Sequence, residues 1–272
     1  MILDEIVAWK RKEIPRAKGE RPFADLKAKA RSAAPVPAFD LRQDDEVSII
    51  AEIKRASPVK GPLRPDLDVA KLAQAYANGG ARAISVLTDE KFFQGSVDDL
   101  RQARGAGLPI LRKDFVIDEY QLWEARVMLA SAALLIVRIL EQPQLAEYVA
   151  IARELGLAVL VEAHDGREVE RALDAKAPVV GINNRDLGTF AVSIETTAKL
   201  RRFIPPEVVT VSESGIGTPG DLRLLKALNV DAALIGEELV KSDDPARKLR
   251  ELRGVPPPRP EPLRRDGGPH GG

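Results

Sequence analysis

Residues 133–184 alternate three apolar runs with two helical stretches: ALLIVRIL (133–140), Pro143 to Gly156, AVLVEA (158–163), Asp165 to about Lys176, and VVGINN (179–184). Such near-continuous apolar runs read as strands buried on both faces, which a parallel sheet covered by helices requires. The pattern repeats on either side. VSIIAEIK (47–54), RAISVLT (82–88) and PILRKDF (109–115) come before it, and VVTVSES (208–214) and AALIGE (232–237) come after it. Helix signals separate these runs: Asp68 opens a stretch ending at Asn78-Gly79-Gly80, Ser96 opens 97–104, and Asp118 opens 119–130. Further on, Ser193 leads to Phe203, Thr218-Pro219 to about Leu228, and Asp244-Pro245 to Arg253. Eight βα units of about 26 residues each predict a (β/α)8 TIM barrel over residues 47–254. An open doubly wound sheet is the alternative, and the absence of a G-x-G-x-x-G after the first strand argues against it.

Residues 1–46 carry an amphipathic stretch (Ile2, Leu3, Ile6, Val7, Trp9, Lys10), a second near Phe23 to Arg31, and a link punctuated by Pro35 and Pro37. They predict an N-terminal helical extension packed on one end of the barrel. Residues 255–272 are rich in Pro and Gly with almost nothing to bury, so that tail is expected to be disordered.

Composition narrows the chemistry. The chain has 272 residues, 44% of them apolar, enough for a real core. Lys plus Arg (41) equals Asp plus Glu (41), so no long-range positive field gathers nucleic acid or anionic membrane. With no Cys and two His, disulfide frameworks, zinc clusters and thiol or Ser-His catalysis are not expected. No apolar run approaches the roughly 18 residues of a membrane span, and Ile2-Leu3-Asp4-Glu5 does not read as a signal segment. A cytoplasmic, soluble protein is the expectation.

The strands turn polar where a barrel of this kind places its reacting groups, at their C-terminal ends. The first offers Glu52 and Lys54, two apart and so on one face. The third offers Lys113, the fifth Glu162, the sixth Asn183 and Arg185, and the seventh Ser212 and Ser214 around Glu213. Any one of these could be a solvated strand end. Their convergence on one rim points to chemistry, because inward charges in a barrel mouth cost several kcal/mol of desolvation unless paired. Ser214-Gly215-Ile216-Gly217 after the seventh strand, and Gly236-Glu237 after the eighth, match the recurrent phosphate site of this fold, with Lys54 able to add a charge.

With these residues assembled, the chain resembles the indole-3-glycerol-phosphate synthase family. The resemblance rests on E-I-K-R-A-S-P (52–58), L-T-D-E-K-F-F-Q-G-S (87–96), L-R-K-D-F (111–115), V-E-A-H-D (161–165), G-I-N-N-R-D-L (181–187) and S-E-S-G-I (212–216), in order over roughly residues 2–250. It implies cyclisation of 1-(2-carboxyphenylamino)-1-deoxyribulose 5-phosphate to indole-3-glycerol phosphate, with loss of CO2 and water and without metal or organic cofactor. The implied partners are this small phosphorylated substrate and other tryptophan-pathway enzymes. Catalytic roles are implied for Lys113, Glu162, Glu52, Lys54 and Asn183, and substrate contacts for Ser57, Arg185, Glu213, Ser214, Gly215, Gly236 and Glu237. Phe93 and Phe115 are candidate walls for the aryl ring, as are Leu134, Leu187 and Leu234.

On this reading Lys113 is the acid for ring closure. Glu162 is expected as the acid for dehydration, with Lys54 or Glu52 assisting. Two rivals remain at this stage: a class I aldolase with Lys113 as Schiff-base nucleophile, and a non-catalytic phospho-ligand barrel, which leaves three carboxylates unexplained.

Overall fold

The computed structural model describes residues 2–64, 66–186 and 188–255, so nearly all of the tail expected to be disordered lies outside the described residues, as does Leu187. Eight parallel strands close on themselves: β1 (Ser48–Ile53), β2 (Ala83–Leu87), β3 (Ile110–Lys113), β4 (Ala132–Ile136), β5 (Ala158–Ala163), β6 (Val179–Asn183), β7 (Val209–Glu213) and β8 (Ala232–Ile235). Each pairs with the next, and β8 returns to β1 through Ser48↔Ala232. Strand alternation then sorts the side chains into two cores. Ile50, Leu111, Leu134, Leu160, Val211 and Leu234 fill the barrel interior. Ile49, Ile84, Leu135, Val161, Val180 and Ala233 face the surrounding helices.

The helices begin where short polar side chains can accept the first free backbone N–H groups. Asp68, Ser96, Asp118, Asp165, Thr218 and Asp244 all cap in this way, Asp118 and Thr218 in reciprocal capping boxes. The N-terminal residues form α1 (Ile2–Glu20) and α2 (Phe23–Arg31). Helix α2 sits on the helix Glu119–Val127, with Phe23 against Tyr120 and Trp123 at centroid distances of 5.6 and 6.2 Å. The link that follows sends Leu41, 1% exposed, into the interior cluster. No helix among the described residues is long and apolar enough to cross a membrane.

Three local expectations need correcting. The run 133–140 is not strand throughout: pairing with β5 ends at Ile136↔Glu162, and Val137–Ile139 coil into a 3-10 turn that swings Arg138 out toward Glu168. Lys54 and Arg185 stand just beyond the ends of β1 and β6 rather than within them. Ser212 does not reach the mouth. Alternation turns it outward, where its hydroxyl meets Asn184 Nδ2 (3.0 Å) and Thr197 Oγ1 (2.7 Å).

Candidate active site

One cavity of about 750 Å³ opens at the C-terminal ends of the strands. Every described residue named above for catalysis, substrate contact or the aryl wall lines it, together with Ile2, Leu3 and Ile6 of α1. Its floor is a charged layer on top of the apolar barrel interior. Lys113 Nζ donates to Glu162 Oε2 and to Glu213 Oε2, both at 2.9 Å. Beside this trio Lys54 Nζ pairs with Glu52 Oε1 at 2.6 Å, so its charge is engaged on the floor rather than offered to a phosphate.

Two glycines make room for these carboxylates. A Cβ on Gly181, the register partner of Glu162, would collide with Glu213 Oε1. A Cβ on Gly236 would come within 2.5 Å of Glu52 Oε1, so this glycine serves the floor as well as the loop. The motif glycines therefore hold space inside the barrel that acidic side chains from other strands occupy.

Burial and neighbours set the protonation of the trio in opposite directions. Burial alone would neutralise Lys113, yet Glu162, Glu213 and Glu52 outweigh it and hold the ammonium charged well past its ordinary range. For Glu162, burial is overcome by Lys113, His164 and a hydrogen bond from Asn183, which keep the carboxyl below the usual carboxylate range. Glu213 goes the other way. Its burial, with the charges of Glu162 and Glu52 added, exceeds the help from Lys113 and pushes it up to about 7. Glu162 thus rests ionised, in the form that can accept a proton. An ammonium gripped by two carboxylates is a poor Schiff-base nucleophile.

Asn183 is oriented by its own contacts: Oδ1 accepts from Arg185 N–H and from Ser214 Oγ, both at 3.0 Å, leaving the amide nitrogen for Glu162. Ser214 holds this position in a left-handed conformation (φ 69°), an uncommon one for a side-chain-bearing residue, and Gly215 continues it at φ 76°. On the opposite wall Phe93 and Phe115 stack obliquely with centroids 5.9 Å apart.

The loops expected to bind phosphate use part of their backbone internally. Asp221 already accepts the N–H groups of Gly217 and Thr218, at 3.0 and 2.8 Å, so the start of the helix Pro219–Ala227 is committed internally. Ser214, Gly215, Gly236 and Glu237 remain at the cavity wall. The Glu237 carboxylate is held at about 2, burial notwithstanding, by bonds from Lys241 and Lys60, each at 2.6 Å. Any contact of Glu237 with an anion would therefore be through its backbone.

Sequence reasoning passed over His164 and Lys10. The first sits beside Glu162; the second is buried behind β3, with Nζ 3.0 Å from Asp89 and 2.9 Å from Asp114. An inward-facing Lys on an otherwise apolar helix stripe was the available signal for Lys10.

The family model for indole-3-glycerol phosphate synthase matches residues 3–252. Proteins of that name from Paracidovorax citrulli and Verminephrobacter eiseniae are 47% and 48% identical, with 92% of this chain and 98% of each relative covered. Among solved structures, a mandelate oxidase variant aligns with a TM-score of 0.60 at 16% identity over 86% of this chain and 92% of its own, a likeness of fold alone.

Proposed function

This chain belongs to the indole-3-glycerol phosphate synthase family, decarboxylating lyases of tryptophan biosynthesis, and from that premise we propose how its cavity divides the reaction. The substrate, 1-(2-carboxyphenylamino)-1-deoxyribulose 5-phosphate, gains two protons on its ketone oxygen, which departs as water, and loses one from the methylene carbon beside nitrogen. CO2 leaves between these events as aromaticity returns. Lys113 gives the first proton, as alkoxide charge develops on attack by the ring carbon that bears the carboxylate. Lys54, paired with Glu52, gives the second to the departing hydroxyl. Glu162, resting ionised, receives the methylene proton.

Phe93 and Phe115 flank the aryl ring, and Arg185, whose planar fork suits a carboxylate, meets the anthranilate acid group or a sugar hydroxyl. Ser57, Ser214, Gly215, Gly236 and Glu237 hold the phosphate end, largely through backbone N–H groups. Glu213, the carboxyl with the raised proton affinity, keeps the floor from carrying three negative charges beneath an anionic ligand. A cytoplasmic setting, with other tryptophan-pathway enzymes supplying the substrate and consuming the product, completes the reading.

The observation that carries it is Lys113 gripped by two carboxylates on the floor of a cavity with an aromatic wall. Single-turnover mixing tests it. In Glu162→Gln, CO2 release is expected to precede the indole absorbance by a measurable lag, because closure survives while dehydration slows. Equal slowing of both signals would move Glu162 to the closure step.

A further inference from the structure

Glu162 has a second close neighbour that no proposed step employs. His164 follows β5, and its side chain is 4% exposed. Nδ1 lies 3.0 Å from Glu168 Oε2, while Nε2 is buried without a hydrogen bond among the described residues, 3.4 Å from Glu162 Oε1. Glu168 is itself fixed: it accepts the His164 backbone N–H at 2.8 Å and Arg138 Nε at 2.7 Å. Helix initiation does not explain the ring, since Asp165 already caps the helix Gly166–Asp174 through the Glu168 N–H at 2.9 Å. The imidazole therefore bridges a carboxylate anchored near the surface and the carboxylate that faces Lys113.

We infer that His164 is a positioning residue for the reaction: anchored by Glu168 and Arg138, its imidazolium holds Glu162 Oε1 so that Oε2 stays turned to Lys113 and the cavity. Only the imidazolium carries a donor on each nitrogen, and so only that form serves both carboxylates at once. The charged groups around it favour this form. Burial lowers the proton affinity of the ring, but the bond from Glu168 and the charges of Glu162 and Glu168 outweigh burial and the repulsion from Arg138, leaving it raised. Asp165 from the helix start, Lys113 from β3 and Glu213 from β7 complete the surrounding charges. The inference rests on Glu162 acting as the base.

The test follows kcat and KM of the full chain from about pH 5 to pH 10, the range over which a raised imidazole titrates. NMR of the ring protons accompanies it. The chain has two histidines, so the signal lost in His164→Gln is that of His164. In the wild type, kcat is expected to fall on the alkaline side with the midpoint of the His164 titration. Glu168→Gln should move both midpoints down together. His164→Gln should lose this limb and sit on the order of tenfold below the wild-type acid plateau, with KM within about twofold.

A limb that persists unchanged in His164→Gln belongs to Glu213 and overturns the inference. So does a wild-type kcat in that variant, or a loss of kcat matched by a rise in KM and a lower melting temperature, which marks mere structural support. Should His164→Gln fail to fold, disagreement of the two wild-type midpoints is sufficient to overturn it. Glu162→Gln separates the layers: full indole formation there removes Glu162 as base, whereas slow indole formation alongside a failed His164 test removes only His164.

Discussion

Strand β3 carries a lysine cluster on each of its two faces, and the two clusters have the same ingredients. Lys113 points into the cavity and bonds Glu162 and Glu213 at 2.9 Å. Behind it Lys10, reaching in from α1, pairs with Asp89 at 3.0 Å, Asp114 at 2.9 Å and Glu13 at 3.2 Å, and Arg112 Nη2 lies 3.0 Å from Asp114 and 3.4 Å from Glu124. Both lysines are buried and both are held charged. A buried lysine between two carboxylates is therefore no sign of catalysis by itself. The rear cluster sets two cations, Lys10 and Arg112, among Asp89, Asp114, Glu13 and Glu124, with both aspartates buried. The front cluster opens onto a cavity, and has one carboxyl pushed up to about 7 while its neighbour is held down. Proton affinities diverge behind the strand as well, with Glu13 raised and Asp114 lowered, so what distinguishes the working site from a rivet is that Lys113, unlike Lys10, lines the cavity.

The comparison breaks most sharply at the two lysines. Lys113→Met should lower kcat by on the order of 10³ or more and abolish CO2 release and indole formation together, because carbon–carbon closure precedes both. Residual CO2 release at near-normal rate would transfer the acid role to Lys54. Lys10→Met should do the reverse. It leaves Asp89 and Asp114 buried without their shared cation, at a cost of about 3–5 kcal/mol in denaturant unfolding. Its kcat, measured where the variant is folded, should change by less than about tenfold. An inactive but fully stable Lys10→Met would place α1 in the chemistry.

The smallest effect sharpens the contrast by pH. Asp114 is held below its ordinary 3.8: burial opposes this, but Arg112 and Lys10 outweigh it. The stability it adds is present above that value and is lost as pH falls through and beneath it. Glu213 has the opposite sign. Its folded value lies above the ordinary 4.5, so its favourable contribution belongs to low pH and drains away between 4.5 and about 7. Glu213→Gln should therefore be more stable than wild type above pH 7, with the gap closing toward 4.5, and less active throughout. Parallel stability curves for the two proteins would show that Glu213 titrates normally.

Most of the front cluster was legible in the sequence because polar letters at the ends of apolar runs, Glu52, Lys113 and Glu162 among them, stand out; Glu213 came with the family resemblance, since alternation on its strand was read on Ser212 and Ser214. The cluster behind the sheet was not legible. Arg112 and Asp114 flank Lys113 in the same motif, yet each points away from it, and their meeting with Lys10 depends on where α1 docks, which no local period encodes. Ser212 failed for the same reason of parity. The hairpin of Ala56–Ser57 and Gly61–Pro62, and the four-residue helix Glu90–Phe93, are too short for periodicity to register. His164 passed as a motif letter because its meaning lies in Glu168, a turn further along, and Arg138, on the preceding strand's exit.

Strand β3 also bears on how barrels exchange parts. Many βα units of such a fold could in principle be cut out and recombined with those of another barrel, since their outward faces ask only for apolar neighbours. This strand could not travel alone. Its three successive charged residues, Arg112, Lys113 and Asp114, are met by Thr88 after β2, Glu124 on the next helix, Glu162 on β5, Glu213 on β7 and Lys10 at the start of the chain. A graft of β3 into a foreign barrel would import unmatched charge on both faces, so descent with this strand implies descent with the N-terminal helix and with the two distant strands.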